Sequence, residues 1–369
     1  MKNVHAVATP HVCFVNSLRS LGGAELWFLA ACRNLLARGV QASLVAQPGS
    51  RLLASARAEG LPAAAIPIRC DGAFWTLYKL QRHFRRTKVT ALVCNLTKDL
   101  KAAGLAGRWA GVPIRLASRE SDFPLKGKAY YRWYFRRAAT GLLVNSEATR
   151  RTVLDSAPWL DPARVHLLYK GIDTRRFRPS GPPPSRRQPV VGFVGQLIAR
   201  KGLDTLMAAW QQLDEAAWPA TPPRLRLAGE GPLRADIERW RGRLRRPACV
   251  ELCGFLTDVP AFWAECRCAV LPSRSEGFGL AAAEASACGV PVVATAASSL
   301  PEIVHAGRTG LLVPVDRPRD LAAALARLLG DGPLADRFGA AGRRLIVATF
   351  DERLCWQRLW ELTCPEVTR

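Results

Sequence analysis

The sequence predicts an α/β protein built from two doubly wound domains, each a parallel sheet covered by helices on both faces. Three observations predict it. Short apolar runs ending in turn formers alternate with helical segments along most of the chain. A strand, a glycine turn and a helix occur in succession twice, once from His11 and once from Val190. The 369 residues are enough for two domains of ordinary size, each with its own core.

The first domain is expected over residues 1–180. His11 to Ser17 reads as a buried strand that runs into Leu21-Gly22-Gly23-Ala24-Glu25. The helix that follows carries Leu26, Leu29, Ala30 and Leu36 and ends at Arg38-Gly39. Taken alone, the Gly22-Gly23 pair fits a plain tight turn as well as a ligand loop. Further strands are expected at Ala42 to Ala46, Ala63 to Ile68, Ala91 to Cys94, Ile114 to Ala117, Gly141 to Val144 and Val165 to Tyr169. Loops at the carboxyl ends of such strands are where ligands bind. One of them, Ser118-Arg119-Glu120-Ser121-Asp122, is a polar cluster that fits either surface ion pairing or substrate contact. Phe74 to Lys88 and Lys126 to Arg137 mix aromatic and basic residues. Both fit ordinary surface helices and helices resting at a lipid interface.

Residues 181–189, within the Pro- and Arg-rich run from Phe177 to Pro189, read as an interdomain linker. The second domain is expected over residues 190–350. It opens with the strand Val190 to Gly195, then the loop Gln196 to Gly202, then a helix with Leu203, Leu206, Met207 and Trp210 on one face. Lys201 in that loop is placed to neutralise a phosphate. Arg224 to Ala228 and Val250 to Phe255 are further strands, the first closed by Gly229-Glu230-Gly231-Pro232. Val290 to Ala294 is another. Helices are expected around Val259 to Cys266 and over Asp320 to Leu329, Leu334 to Ile346 and Asp351 to Thr363.

Composition narrows the function classes. Hydrophobic residues make up 49% and charged residues 22%, which excludes a disordered chain. No apolar run is long enough for a membrane-spanning helix, and the N-terminal stretch does not read as a secretory leader. A cytoplasmic location is therefore expected. The eleven cysteines lie mostly in apolar runs and read as buried thiols of a reducing compartment. The net charge of +23 points to an anionic partner: a phospholipid surface, an anionic glycolipid or nucleic acid. A GC-rich genome would also enrich arginine. Nothing resembles a recognition helix or a base-stacking sheet, so no nucleic-acid partner is expected.

The most informative stretch is Ser273 to Ala285, SRSEGFGLAAAEA. Two carboxylates, Glu276 and Glu284, stand eight residues apart, with Gly277, Phe278 and Gly279 between them. A helix starting near Gly279 would aim its free N–H groups and positive dipole end at whatever lies beside Glu276. That suits a phosphate-bearing ligand whose hydroxyls are held by carboxylates.

In order and spacing, LGGAE, VNSEATRR, YKGIDTRRF, GQLIARKGLDTL, LAGEGPLR, the run from LCGFLTDVP to CGVPVVAT, and LPEIVHAGRTGLLV together resemble the family-4 retaining glycosyltransferases of the GT-B fold. The resemblance covers nearly the whole chain and is tightest in the second domain. It implies two Rossmann-like domains facing across a cleft, with the last helix, residues 351–369, crossing back to the first. It implies a nucleotide-diphosphate sugar, UDP- or GDP-linked, as donor substrate. Glu276 would hold the donor sugar's hydroxyls, Glu284 the ribose, and Lys201 the diphosphate. Gly229, Glu230, Gly231, Gly254 and Phe255 would surround the base, and Gly22 and Gly23 would approach the phosphates.

Glycosyl transfer passes through an oxocarbenium-like transition state, and here Lys201 and helix amides would take the leaving charge. No cofactor and no metal are expected, and retention is expected by same-face attack rather than through a covalent Glu276 intermediate. The chain departs from the family pattern at three places. Gln196 stands where arginine is usual, with Arg200 nearby to compensate. Lys170 stands where asparagine is common. The first-domain histidine of many members is replaced by Ser118-Arg119-Glu120, which places Arg119 and Glu120 among the catalytic and acceptor-side candidates, with Lys170 on the acceptor side. The acceptor is expected to be an envelope glycan or lipid-linked sugar, such as lipopolysaccharide, met at the anionic inner face of the cell membrane. The competing readings are a nucleotide-sugar epimerase and a basic binding protein without transferase activity.

Overall fold

A computed structural model describes residues 9–20, 22–68, 73–95, 97–125, 127–218 and 221–365. Leu21 of the LGGAE motif, Lys126 of the second aromatic-basic segment, Cys70 and the stretch before residue 9 lie outside the described residues. The chain divides into two units. One runs to Leu168 and takes in the chain again from Cys355; the other is Tyr169–Leu354.

The first unit holds a parallel sheet of seven strands: β1 (His11–Asn16), β2 (Gln41–Ala46), β3 (Ala63–Ala65), β4 (Ala91–Cys94), β5 (Ile114–Arg119), β6 (Gly141–Val144) and β7 (Val165–Leu167). Their order is β3-β2-β1-β4-β5-β6-β7. Every residue of β1 is buried, which explains the unbroken apolar run. Successive side chains of a strand point to opposite faces, and β1 divides accordingly. Val12 and Phe14 pack with Phe28 and Leu35 of the helix Gly23–Ala37. Cys13 and Val15 pack on the other face with Leu77, Leu80 and Phe84 of the helix Phe74–Arg86. The last helix, Glu352–Thr363, adds Trp356 and Leu359 to the Phe14 side, with the Trp356 and Trp27 rings 5.7 Å apart.

The second unit repeats the plan with six parallel strands: β8 (Val190–Val194), β9 (Arg224–Ala228), β10 (Val250–Gly254), β11 (Cys268–Leu271), β12 (Val292–Thr295) and β13 (Gly310–Val313), ordered β10-β9-β8-β11-β12-β13. In each sheet the strand order reverses beside the opening strand, between β1 and β4 and between β8 and β11. Loops leaving the carboxyl ends of strands at such a reversal diverge and open a crevice.

The structure differs from the sequence reading in several places. β3 stops at Ala65, short of Ile68, because Pro67 has no N–H to continue the ladder. The Ile68 amide donates instead to the Gln47 side chain at 2.8 Å. β13 was not expected: Gly310–Val313 is a four-residue strand that β12 pairs through all four positions. The first unit ends at Leu168 rather than residue 180, so residues 181–189 are no linker between units. Ser185 binds the Asp336 carboxylate through its amide (2.9 Å) and hydroxyl (2.6 Å). Buried Arg187 donates to the carbonyls of Trp263 and Cys266 at 3.1 and 2.8 Å. These bonds tie the Pro-rich segment down inside the second unit. Among the described residues the cysteines are free, and no helix is long and apolar enough to cross a membrane.

Candidate functional site

Three loops of the second unit are laced together at the carboxyl ends of β8, β9 and β10. The Gly195 amide donates to the Ala228 carbonyl (3.0 Å), that of Leu197 to Glu230 (2.9 Å), and that of Gly229 to Gly254 (2.7 Å). The loops approach closely enough to require glycine. At Gly229, with φ of +135°, a Cβ would stand 1.9 Å from the Gly195 carbonyl oxygen. The Glu230 side chain pairs with Arg234 at 3.2 Å, and Phe255 projects from the far loop with 81% of its surface exposed.

The fourth loop, after β11, carries Glu276. The residue is 5% exposed, and its carboxylate gathers partners from two directions. Lys201 Nζ lies 2.5 Å from Oε1, the Ser273 hydroxyl donates to the same oxygen at 2.6 Å, and Arg200 Nη1 stands 3.7 Å from Oε2. Arg200 also donates to the Ser275 carbonyl at 2.7 Å, and the Ser299 hydroxyl donates to the Glu276 carbonyl at 3.3 Å. The loop is braced by Arg274, which bonds Asp204 (2.6 Å), Asp316 (2.8 Å) and the Ala199 carbonyl (2.7 Å). The Arg274 hydrogen bond holds the Asp204 carboxyl below its usual range. The structure thus brings Lys201, Arg200 and Glu276 together, at the reversal between β8 and β11. Gln196 sits in the same loop as Lys201 with its side chain exposed.

Gly277, Phe278 and Gly279 lead into the helix Leu280–Ala287. Gly279 adopts φ of +93°, turning the chain so that the first helical amides follow directly on the Glu276 loop. Phe278 is buried against Tyr169 and Phe350, at 6.0 and 5.5 Å between rings, and so anchors the turn from behind. One helical turn on, Glu284 is half-buried. Burial pushes its carboxyl up from near 4.5 to about 7, with Arg176 pulling the other way.

In the first unit, Gly22 and Gly23 start the helix Gly23–Ala37, Arg119 is the last residue of β5 and Glu120 follows it. Gly23, Arg119 and Glu120, but not Gly22, line a pocket of about 340 Å³ together with Glu25 and Asn95, at the reversal between β1 and β4. Arg119 donates to the Phe123 carbonyl, and burial lowers its pKa. The Glu120 carbonyl accepts from Asn145 at 3.3 Å. Lys170 falls in the second unit, where it is buried.

Two family descriptions match the chain: "Glycosyltransferase Family 4" over residues 21–176 and "Glycosyl transferases group 1" over residues 188–331. The chain is similar to an α-maltose-1-phosphate synthase of Mycolicibacterium smegmatis, 30% identical over 306 residues covering 70% of this chain and 75% of that protein. The chain belongs to the group 1, family 4 glycosyltransferases. An uncharacterized glycosyltransferase of Methanocaldococcus jannaschii is 33% identical over 168 residues, 45% of this chain, and the match spans 44% of that protein. A crystal structure of Anabaena HepE in complex with UDP has the same fold, with a TM-score of 0.83, 19% identity and coverage of 95% of this chain and 98% of that one. The fold class is GT-B.

Several residues of these two candidate sites escaped the sequence reading. Ser273, Ser299 and Arg274 shape the Glu276 loop, and a serine or arginine in a loop carries no local signal of such a contact. Glu25 had a signal. Its carboxylate is buried and accepts from the Gly22 amide (2.9 Å), Asn16 (2.7 Å) and Asn95 (3.3 Å). Glutamate three residues after a helix start is the capping-box spacing, and here it pins the glycine turn.

Proposed function

We propose that this glycosyltransferase moves a sugar, with retention, from a UDP- or GDP-linked donor to a glycan or lipid-linked acceptor in envelope polysaccharide or lipopolysaccharide assembly, at the anionic inner face of the cell membrane. The observation that carries the reading is the buried Glu276 carboxylate, held 2.5 Å from Lys201 directly before the start of a helix. A carboxylate there accepts sugar hydroxyls. Lys201, Arg200 and the first amides of Leu280–Ala287 supply positive charge to the diphosphate. Glu284, one turn further, accepts the ribose hydroxyls, and the exposed Phe255 ring beside Gly254 offers a face for the base.

In the reaction the anomeric C–O bond to the diphosphate breaks. The acceptor oxygen bonds to the anomeric carbon on the same face, and its proton passes to the departing phosphate oxygen. The leaving charge is stabilised where Lys201 and the helix amides are already oriented, so no metal is required. Arg119 and Glu120 in the first unit and Lys170 in the second are assigned to the acceptor. The Anabaena relative contains UDP, which favours a uridine donor among the candidates.

The test is a thermal-shift screen over sugar nucleotides, followed by donor hydrolysis in the presence of EDTA. One nucleotide class should raise the melting temperature, because ligand-linked stabilisation follows affinity. Lys201→Ala and Glu276→Ala should each abolish turnover. Unchanged turnover in both variants would refute the site assignment, and loss of turnover in EDTA would refute the metal-free chemistry.

A further inference from the structure

Half of the large hydrophobic side chains exposed among the described residues, six of twelve, belong to three neighbouring helices of the first unit. Phe74, Trp75 and Tyr78 lie on the helix Phe74–Arg86, Trp109 on Leu105–Ala110, and Tyr130 and Trp133 on Ala129–Ala138. The helices are bonded to one another: Arg85 donates to the Trp109 carbonyl at 2.9 Å and Arg108 to the Arg137 carbonyl at 3.5 Å. Their core-facing positions are already filled by other residues, Leu77, Leu80 and Phe84 on the first and Phe135 on the third. Trp75, Tyr78 and Trp133 are therefore surplus to the core, whereas the Tyr130 ring lies 5.3 Å from the buried Lys101 ammonium. Trp75 is 71% exposed and Trp133 50%, although both rings are among the costliest to leave in water.

Charge on these helices is of one sign. They carry Lys79, Arg82, Arg85, Arg86, Arg108, Arg132, Arg136 and Arg137, and no Asp or Glu. An aromatic set with an unopposed basic set on one group of helices matches a bilayer interface, where rings sit at headgroup level and cations meet anionic lipid. We infer that the surface formed by these three helices is a docking face for an anionic phospholipid bilayer, with Trp75, Tyr78 and Trp133 entering the headgroup region and Lys79, Arg82 and Arg136 engaging lipid phosphates. This deepens the membrane-surface location proposed above and names the residues responsible. It leaves the donor site untouched, since none of the residues assigned to the donor lies on these three helices.

The test is co-sedimentation of the full chain with phosphatidylcholine vesicles, with and without phosphatidylglycerol, over a salt series. Tryptophan quenching by lipids brominated on the acyl chain is read alongside. Binding should require phosphatidylglycerol, weaken steeply with salt, and be accompanied by quenching. Lys79→Glu/Arg82→Glu/Arg136→Glu should weaken binding at least tenfold, and Trp75→Ser/Trp133→Ser should remove most of the quenching. Donor hydrolysis by both variants should stay at the wild-type level, which separates this inference from the transferase reading. Equal vesicle binding by wild type and the charge-reversal variant overturns it. So does wild-type binding without quenching that a soluble single-stranded RNA fully displaces, because the face would then be a polyanion site. Should either variant fail to fold, the wild-type quenching result alone decides.

Discussion

Glu276→Gln gives two opposed readouts from one substitution. In the ligand-free protein the Glu276 carboxylate faces Lys201 at 2.5 Å, with both side chains largely shielded, 6% and 15% exposed. Removing one member of such a pair leaves the other charge without its counterion, which for fully buried pairs costs about 3–5 kcal/mol. Lys201 keeps a route to water, and the glutamine oxygen still accepts from Ser273, so a cost of about 2 kcal/mol is expected. For a unit of this size that lowers the melting temperature by roughly 4–8 °C. A bare nucleoside diphosphate should respond in the opposite sense. In the wild type its phosphates compete with Glu276 for Lys201, and in the variant the ammonium is free. The same ~2 kcal/mol then returns as binding, roughly a tenfold to thirtyfold tighter Kd. Sugar transfer should nevertheless be lost, because the hydroxyl acceptor has lost its charge. The assays are differential scanning fluorimetry, calorimetric titration with UDP and GDP, and donor hydrolysis. A variant that melts like wild type and binds diphosphate no more tightly would refute the competition between Glu276 and the ligand.

Two further predictions concern Glu284 and a pair of glycines, one from each unit. Glu284 is pushed up to about 7 by burial, so the ligand-free fold holds its proton more tightly than the unfolded chain does. Its contribution to stability is therefore greatest below about 4.5 and declines as pH rises toward 7. A ribose-bound carboxylate is ionised, so nucleotide affinity should rise with pH across that window and level off above it, with up to one proton released per nucleotide. Titrations in two buffers of different ionisation enthalpy measure this; the same pH profile in Glu284→Gln would contradict it. Gly229→Ala should cost about 3 kcal/mol or more through clash and backbone strain. Gly23→Ala, where a Cβ meets nothing within 4 Å, should stay within about 0.5 kcal/mol. Thermal denaturation of the pair distinguishes these, and equal melting temperatures would mean that the Gly195 and Gly229 loops do not touch.

Much of this protein was settled by local sequence. Strands buried on both faces must be apolar throughout, so β4 and β6 were legible to the residue and β1 to within one, while β9 was legible from the alternation of Arg224 and Arg226 with Leu225 and Leu227. A glycine that admits φ of +93° marked the start of the Leu280–Ala287 helix, and the eight-residue spacing of Glu276 and Glu284 marked the carboxylates. These features depend on neighbours within a turn or two of the chain. What depends on distant partners stayed hidden. β13 is as short as β4 and β6 but only half-buried at its two central residues, and it exists because β12 offers a ladder. The Pro-rich segment read as a linker because its composition is that of one, whereas Arg187 and Ser185 find carbonyls and a carboxylate far along the chain. Lys201 and Glu276 are 75 positions apart, and only the reversal of strand order between β8 and β11 brings them within 2.5 Å. The two aromatic-basic segments could not be assigned from sequence to core or surface, because helical spacing is the same for both. Packing decided it: Leu77, Leu80 and Phe84 fill the core, leaving Trp75 and Tyr78 outside. Residue types fix which chemistry is available; the paths of distant strands fix which of those residues meet.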